Sequence, residues 1–131
     1  MVPKIISNNI TKTYYLNYRY IFRKPEELGK GLMYIKSPLP NDEVALFIMN
    51  STKIQSFWMM NTYIPLDMIF LSKDGVVMGY YENARPHNLR QHKINFPSKY
   101  VIETNAGFVR KYNIEKGDII RLPIENQKLI F

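Results

Sequence analysis

The sequence predicts a mostly β fold, a compact single-domain β-sandwich or barrel of about seven short strands with one or two short helices. Three observations carry that expectation. Short apolar or alternating runs recur along the chain, separated by Pro, Gly, Asn and Asp clusters. No strand–helix–strand alternation appears, which argues against a doubly wound sheet. With 131 residues and 46% apolar types, the chain can build one hydrophobic core and is too apolar for intrinsic disorder. Residues 1–12 read as a flexible lead-in, 13–123 as the single β domain, and 124–131 as a tail or edge strand.

The elements follow in order. Thr13 to Phe22 (TYYLNYRYIF) is dense in β-favouring aromatics, with Tyr14, Leu16, Tyr18, Tyr20 and Phe22 on the more apolar face. Pro25, Glu26 and Glu27 suit the start of a short helix to about Met33, weakened by Gly29 and Gly31. Ser37 to Glu43 is loop. Val44 to Met49 (VALFIM) is a continuous apolar run, as expected of a strand covered on both faces. Asn50 to Gln55 reads as a hairpin connection and Ser56 to Met60 as the next strand. After a crossover through Pro65, Leu66 to Leu71 (LDMIFL) is strand-like. Asp74-Gly75 tolerates the positive φ of a hairpin turn into Val76 to Tyr81. Glu82 to Ser98 is a long aperiodic stretch, and such loops tend to carry function. Lys99 to Glu103 is a strand, Asn105 can cap a short helix from Ala106 to about Tyr112, and Ile119 to Leu122 is a final core strand. The closing KLIF can pair on a sheet edge.

Composition excludes several chemistries. With no cysteine, there is no disulfide framework, zinc ribbon, iron–sulfur cluster or thiol nucleophile. His87 and His92, five apart, match no two-histidine metal motif, and no residue pattern implies a metal or cofactor. No uncharged apolar run approaches the roughly 20 residues of a membrane-spanning helix. Met1 to Asn9 does not read as a secretory signal. The chain therefore reads as a soluble domain, compatible with the mature part of an exported or organelle-targeted precursor, and its compartment stays open.

The formal charge of +7 is unevenly spread. Met1 to Pro25 and Asn83 to Ile102 carry basic residues and no acid, whereas Glu26 to Glu82 holds four basic residues against seven acids. Arg19, Arg23, Arg85, Arg90, Lys93 and Lys99, interleaved with aromatics, form a candidate basic surface for nucleic acid or another polyanion. The competing reading makes those aromatics core and the basic groups their solvated rim.

Two polar clusters are candidates for a site. In Phe57 to Asp67 the only tryptophan stands beside Asn61-Thr62, and a carboxylate follows in an apolar strand. If Asp67 points inward it needs hydrogen-bond partners, because a lone buried carboxylate is very costly. Either it locks the crossover, or Trp58, Asn61 and Asp67 form one wall of a pocket. Glu103, Thr104 and Asn105 lie at a strand end before the second helix. Asp67 and Glu103 would form an acid–base pair if they met across a cleft. The architectural alternative is a capping Asn105 and a Glu103 paired with Arg or Lys.

Gly31-Leu32-Met33, Leu46-Phe47, FWMMNTYIPLDMIF at Phe57 to Phe70, Asp74-Gly75, Asn83 to Pro86, Glu103 to Gly107 and Gly117-Asp118 occur in an order that resembles the uncharacterised conserved family known as domain of unknown function 192. The resemblance covers roughly Tyr14 to Leu122. It implies a compact, mostly β domain with a short helix, and it brings no established enzymatic activity or ligand. By position, Trp58, Asn61, Thr62, Asp67, Glu103 and Asn105 carry the family's polar pattern, which makes them candidates for a shared ligand-binding site. The chain departs from the pattern at Val44-Ala45, at Tyr34-Ile35-Lys36 and in the loop His87 to Pro97.

The resulting expectation is a binding domain without catalysis, taking a small polar ligand, glycan or peptide near Trp58 and Asp67. The rivals are a basic nucleic-acid or anionic-surface binder and an acid–base hydrolase using Asp67 and Glu103.

Overall fold

A computed structural model of the chain describes residues 3–7, 11–125 and 128–130. In chain order the elements are β1 (Lys4–Ser7), β2 (Lys12–Tyr15), β3 (Tyr18–Phe22), α1 (Pro25–Lys30), β4 (Val44–Lys53), β5 (Leu66–Leu71), β6 (Val77–Ala84), β7 (Ser98–Asn105), α2 (Phe108–Lys111), β8 (Ile119–Ile120), β9 (Ile124–Glu125) and β10 (Lys128–Leu129). The described residues thus form ten strands and two short helices, more strands than the sequence pattern resolves. The mostly β class stands, but among the described residues no barrel closes. A five-stranded sheet in the order β3-β4-β7-β5-β6 is flanked by a three-stranded sheet, β1-β2-β8, and by the hairpin β9-β10.

The central sheet is buried on both faces, as the unbroken apolar runs of β4 and β5 require. All six residues of β5 are buried. One face packs Val44, Leu46, Ile69, Leu71 and Ile102 against Tyr14, Phe108, Val109, Ile114 and Ile120. The other packs Ala45, Phe47, Leu66, Met68, Phe70 and Val101 against Leu32, Leu39, Met59 and Ile64. Each fully buried side chain of this size contributes about 1.5–3 kcal/mol.

Several local expectations are corrected. The stretch Thr13 to Phe22 is two strands in different sheets, β2 beside β8 and β3 parallel to β4. The break lets Tyr14 drop into the core, where its hydroxyl donates to the Tyr112 carbonyl at 2.7 Å. A register shift between Tyr18 and Tyr20 then changes which face the alternate residues meet. Tyr18 packs on the first core, whereas Tyr20 and Phe22 pack on the second. Ser56 to Met60 is not a strand, because β4 pairs with the distant β7 and leaves it no ladder to join. It crosses the sheet as irregular chain, tied by a bridge between Phe57 and His92 and by the Met59 N–H donating to the Asn88 carbonyl at 2.8 Å. His92 is accordingly buried rather than solvated. In the expected lead-in, residues 4–7 pair antiparallel with β2. The closing KLIF supplies Lys128 and Leu129 to β10, while Phe131 lies outside the described residues. The β5–β6 turn holds Gly75 at φ +80°, where an added Cβ would lie 2.6 Å from the Ile120 carbonyl oxygen.

Candidate functional site

Register decides which polar residues can meet. On β7, Glu103 stands opposite Ala45 of β4 and Met68 of β5, and Thr104 stands opposite Asp67. Successive strand residues point to opposite faces, so Glu103 and Asp67 lie on opposite sides of the sheet. The acid–base pair is therefore not formed: these carboxyls share no cleft.

Asp67 is fully buried and serves the architecture. Its Oδ1 accepts the Asn83 N–H at 2.9 Å, and its Oδ2 accepts the N–H groups of Gly107 (3.1 Å) and Val109 (2.9 Å). It does what Asn105 was expected to do, satisfying free N–H groups at the start of α2. Asn105 instead clamps the Leu39 backbone, donating to its carbonyl at 2.7 Å and accepting from its N–H at 2.8 Å. Asn61, at φ +53°, donates through its amide to the Tyr34 hydroxyl at 3.0 Å and accepts the Tyr34 N–H on its carbonyl at 2.8 Å. Asp67 and Asn105 fasten loops to the sheet, and Asn61 fastens the crossover to the loop after α1.

Glu103, Trp58 and Thr62 do converge. They line a cavity of about 280 Å³ between the end of α1, β4, the 56–62 crossover and the long loop. Of the polar residues expected beside Trp58, Glu103 and Thr62 reach it; Asn61, Asp67 and Asn105 do not. The walls are rich in sulfur and aromatic rings: Met33, Met49, Phe47 and Phe57. Phe47 and Phe57 meet edge to face with centroids 5.0 Å apart. Trp58 is 49% exposed and stands at the rim. Thr62 is buried and donates its hydroxyl to the Met60 carbonyl at 3.1 Å.

Glu103 is 4% exposed and has no hydrogen-bond or ion-pair partner among the described residues. The small side chain of Ala45 beside it leaves its carboxyl room. Burial pushes that carboxyl up to about 8, so at pH 7 it is mostly protonated, and Lys30 is the charged side chain in the cavity's lining. His92 holds the Phe57 wall in place: its Nδ1 lies 2.9 Å from the Phe57 carbonyl, and two backbone hydrogen bonds join the same residues. Among the described residues no three His, Asp or Glu side chains cluster as metal ligands.

Sequence reasoning missed the α1 side of this cavity, because Gly29 to Met33 reads only as a weak helix end. The signal was Gly31. It adopts φ +49°, and a Cβ there would lie 2.9 Å from the Phe47 ring. Gly31→Ala is expected to destabilise the domain by about 1–3 kcal/mol through backbone strain and overpacking. Gly29→Ala, with nothing within 4 Å of the added methyl, is expected to be neutral or slightly stabilising. Urea denaturation of the two variants side by side checks the contrast.

The basic candidates do not line a common cleft. Arg19 pairs with Glu43 at 3.1 Å. Arg23 and Lys99 line one cleft, which Arg85, Arg90 and Lys93 do not reach.

Two solved structures resemble this fold. A protein from Sinorhizobium meliloti 1021, described as a candidate transcription regulator, shares 33% identity and a TM-score of 0.68 over 82% of this chain and 78% of its own. A protein of unknown function from Novosphingobium aromaticivorans DSM 12444 shares 32% identity and a TM-score of 0.74 over 88% of this chain and 81% of its own. No curated protein matches the chain. The family described as Uncharacterized ACR, domain of unknown function 192, matches residues 12–122. With its motifs, register and cavity all inside that span, the chain belongs to the domain of unknown function 192 family.

Proposed function

We propose that this domain binds a small organic cation, an amine carried on an apolar or aromatic body, in the cavity beside Trp58. The observation that carries the reading is Glu103, a buried carboxyl that lines the cavity with no described partner. Aromatic and sulfur-bearing walls favour a cation over an anion, since ring faces attract positive charge. The ammonium group would sit against Glu103, and the organic body against Phe57 and Trp58. The cavity lies at the small end of the range for ligand sites, which favours a small molecule over a glycan chain or peptide. Binding rather than catalysis fits the separation of Asp67 from Glu103.

Glu103 must lose its proton to pair with an amine. Below about pH 8, affinity is expected to rise roughly tenfold per pH unit, then level off. Phenethylamine and the neutral phenethyl alcohol make a matched pair of probes. Trp58, as the only tryptophan, reports occupancy by its fluorescence. The amine is expected to bind more tightly at pH 8.5 than at pH 6.5, and Glu103→Gln to remove the preference for amine over alcohol. Equal binding of both probes, or amine binding unchanged in Glu103→Gln, would overturn the proposal.

A further inference from the structure

A second concave region lies at the other end of the central sheet. Two adjoining clefts, of about 550 Å³ and about 240 Å³, share Lys73, Asp74, Tyr100 and Ile124. Arg23 and Lys99 line the larger, and Arg121 lines the smaller. The sheet brings them together from distant sequence: Arg23 follows β3, Lys99 is the second residue of β7, Lys73 is in the β5–β6 turn, and Arg121 follows β8.

Four cations thus line one groove with a single carboxylate, Asp74, among the described lining residues. None of the four forms an ion pair with a described residue, whereas Lys12, Arg19 and Lys111 elsewhere are each paired with acids. The groove's charge is therefore compensated by little of the protein itself. Its frame is held in place: the Arg121 N–H donates to the Tyr14 carbonyl at 2.9 Å, its carbonyl accepts the Tyr18 hydroxyl at 2.7 Å, and Lys99 Nζ donates to the Met49 carbonyl at 2.5 Å. Tyr100 contributes a half-buried ring where the clefts meet.

We propose that this groove binds single-stranded nucleic acid, with backbone phosphates against Arg23, Lys73, Lys99 and Arg121 and a base against Tyr100. Two adjoining cation-lined clefts suit a chain of phosphates better than one anion. Cations along a groove with an aromatic platform are the features that sequence-tolerant strand binding uses. This surface differs from the one expected from sequence: it keeps Arg23 and Lys99, omits Arg19, Arg85, Arg90 and Lys93, and adds Lys73 and Arg121. It is independent of the amine cavity.

Fluorescence anisotropy with a labelled oligothymidylate and an oligouridylate of equal length tests the proposal. Four phosphate contacts predict a roughly fifty-fold loss of affinity between about 50 and about 200 mM salt. Lys73→Glu with Arg121→Glu is expected to weaken binding at least tenfold and flatten the salt slope. The neutral pair Lys73→Gln with Arg121→Gln should weaken it less, and it stands in if the charge reversal does not fold. Arg85→Glu with Arg90→Glu and Lys93→Glu is expected to change affinity less than about threefold. The proposal is overturned if only the loop variant loses binding, if affinity is indifferent to salt, or if the protein binds phosphatidylserine vesicles and neither oligonucleotide.

Discussion

Asp67→Asn is expected to lower the stability of the domain by about 3–5 kcal/mol. Three backbone N–H groups from two separate segments point at this one carboxylate, and the site is sealed from water. Asparagine keeps the shape but has one acceptor oxygen. If that oxygen faces Gly107 and Val109, the amide nitrogen meets the Asn83 N–H donor to donor. If it is turned round, the two N–H groups at the start of α2 are left unsatisfied. Each buried unsatisfied donor costs about 1–3 kcal/mol. The loss also frees the 105–109 corner from β5, so Phe108 and Val109 lose their fixed seat in the first core. Urea denaturation at neutral pH measures the change, with the m-value expected to stay near that of the parent. A loss below about 1 kcal/mol would show that the three hydrogen bonds do not hold this corner.

The second large effect concerns Glu103 and has the opposite sign. Its carboxyl titrates near 4.5 when exposed in the unfolded chain and at about 8 when folded. Between those values the native state holds a proton that the unfolded state has released. Stability is therefore full below about pH 4.5, falls as pH rises toward 8, and is flat with respect to this group above it. The total loss is on the order of 5 kcal/mol. Glu103→Gln removes the titration, so the variant is expected to lack this slope and to exceed the parent's stability at pH 9. At pH 5 the ranking is expected to narrow or reverse, because the parent then carries a neutral acid of nearly the same shape. Thermal melts of both proteins from pH 5 to 9 read this directly. Parallel profiles would show that Glu103 is not desolvated in the folded state.

Local chemistry made much of the fold legible. The apolar runs at Val44 and Leu66, the Asp74-Gly75 turn and the strand at Lys99 all depend on residues within a few positions of one another. The same reasoning failed at Thr13 to Phe22 and at Ser56 to Met60. Both are rich in strand-forming types, but whether such a run becomes a strand depends on a neighbouring edge to bond with. β4 found that edge in β7, about fifty residues downstream by sequence, and the 56–60 segment was left to cross the sheet without a ladder.

The candidate site was legible as an inventory of residues and illegible as an arrangement. Trp58, Thr62 and Glu103 share a cavity, whereas Asn61, Asp67 and Asn105, drawn from the same motifs, anchor loops. Nothing in the spacing separates the two groups. Strand parity separates Asp67 from Glu103, and parity depends on the β5–β7 register, which a shift of one residue would invert.

By itself the sequence determined the family, the mostly β class, an apolar strand covered on both faces, and the rule that Asp67 needs hydrogen-bond partners if it points inward. Those follow from composition, period and the high cost of an unpaired buried charge. Only the tertiary structure decided that Asp67 is satisfied by backbone while Glu103 is left without a described partner in a cavity. It alone placed Arg121 beside Lys73 in one cleft and Arg23 beside Lys73 in the next. The physical reason is that pairing register and close approach are set by contacts between residues tens of positions apart, and those contacts exist only once the sheet has formed.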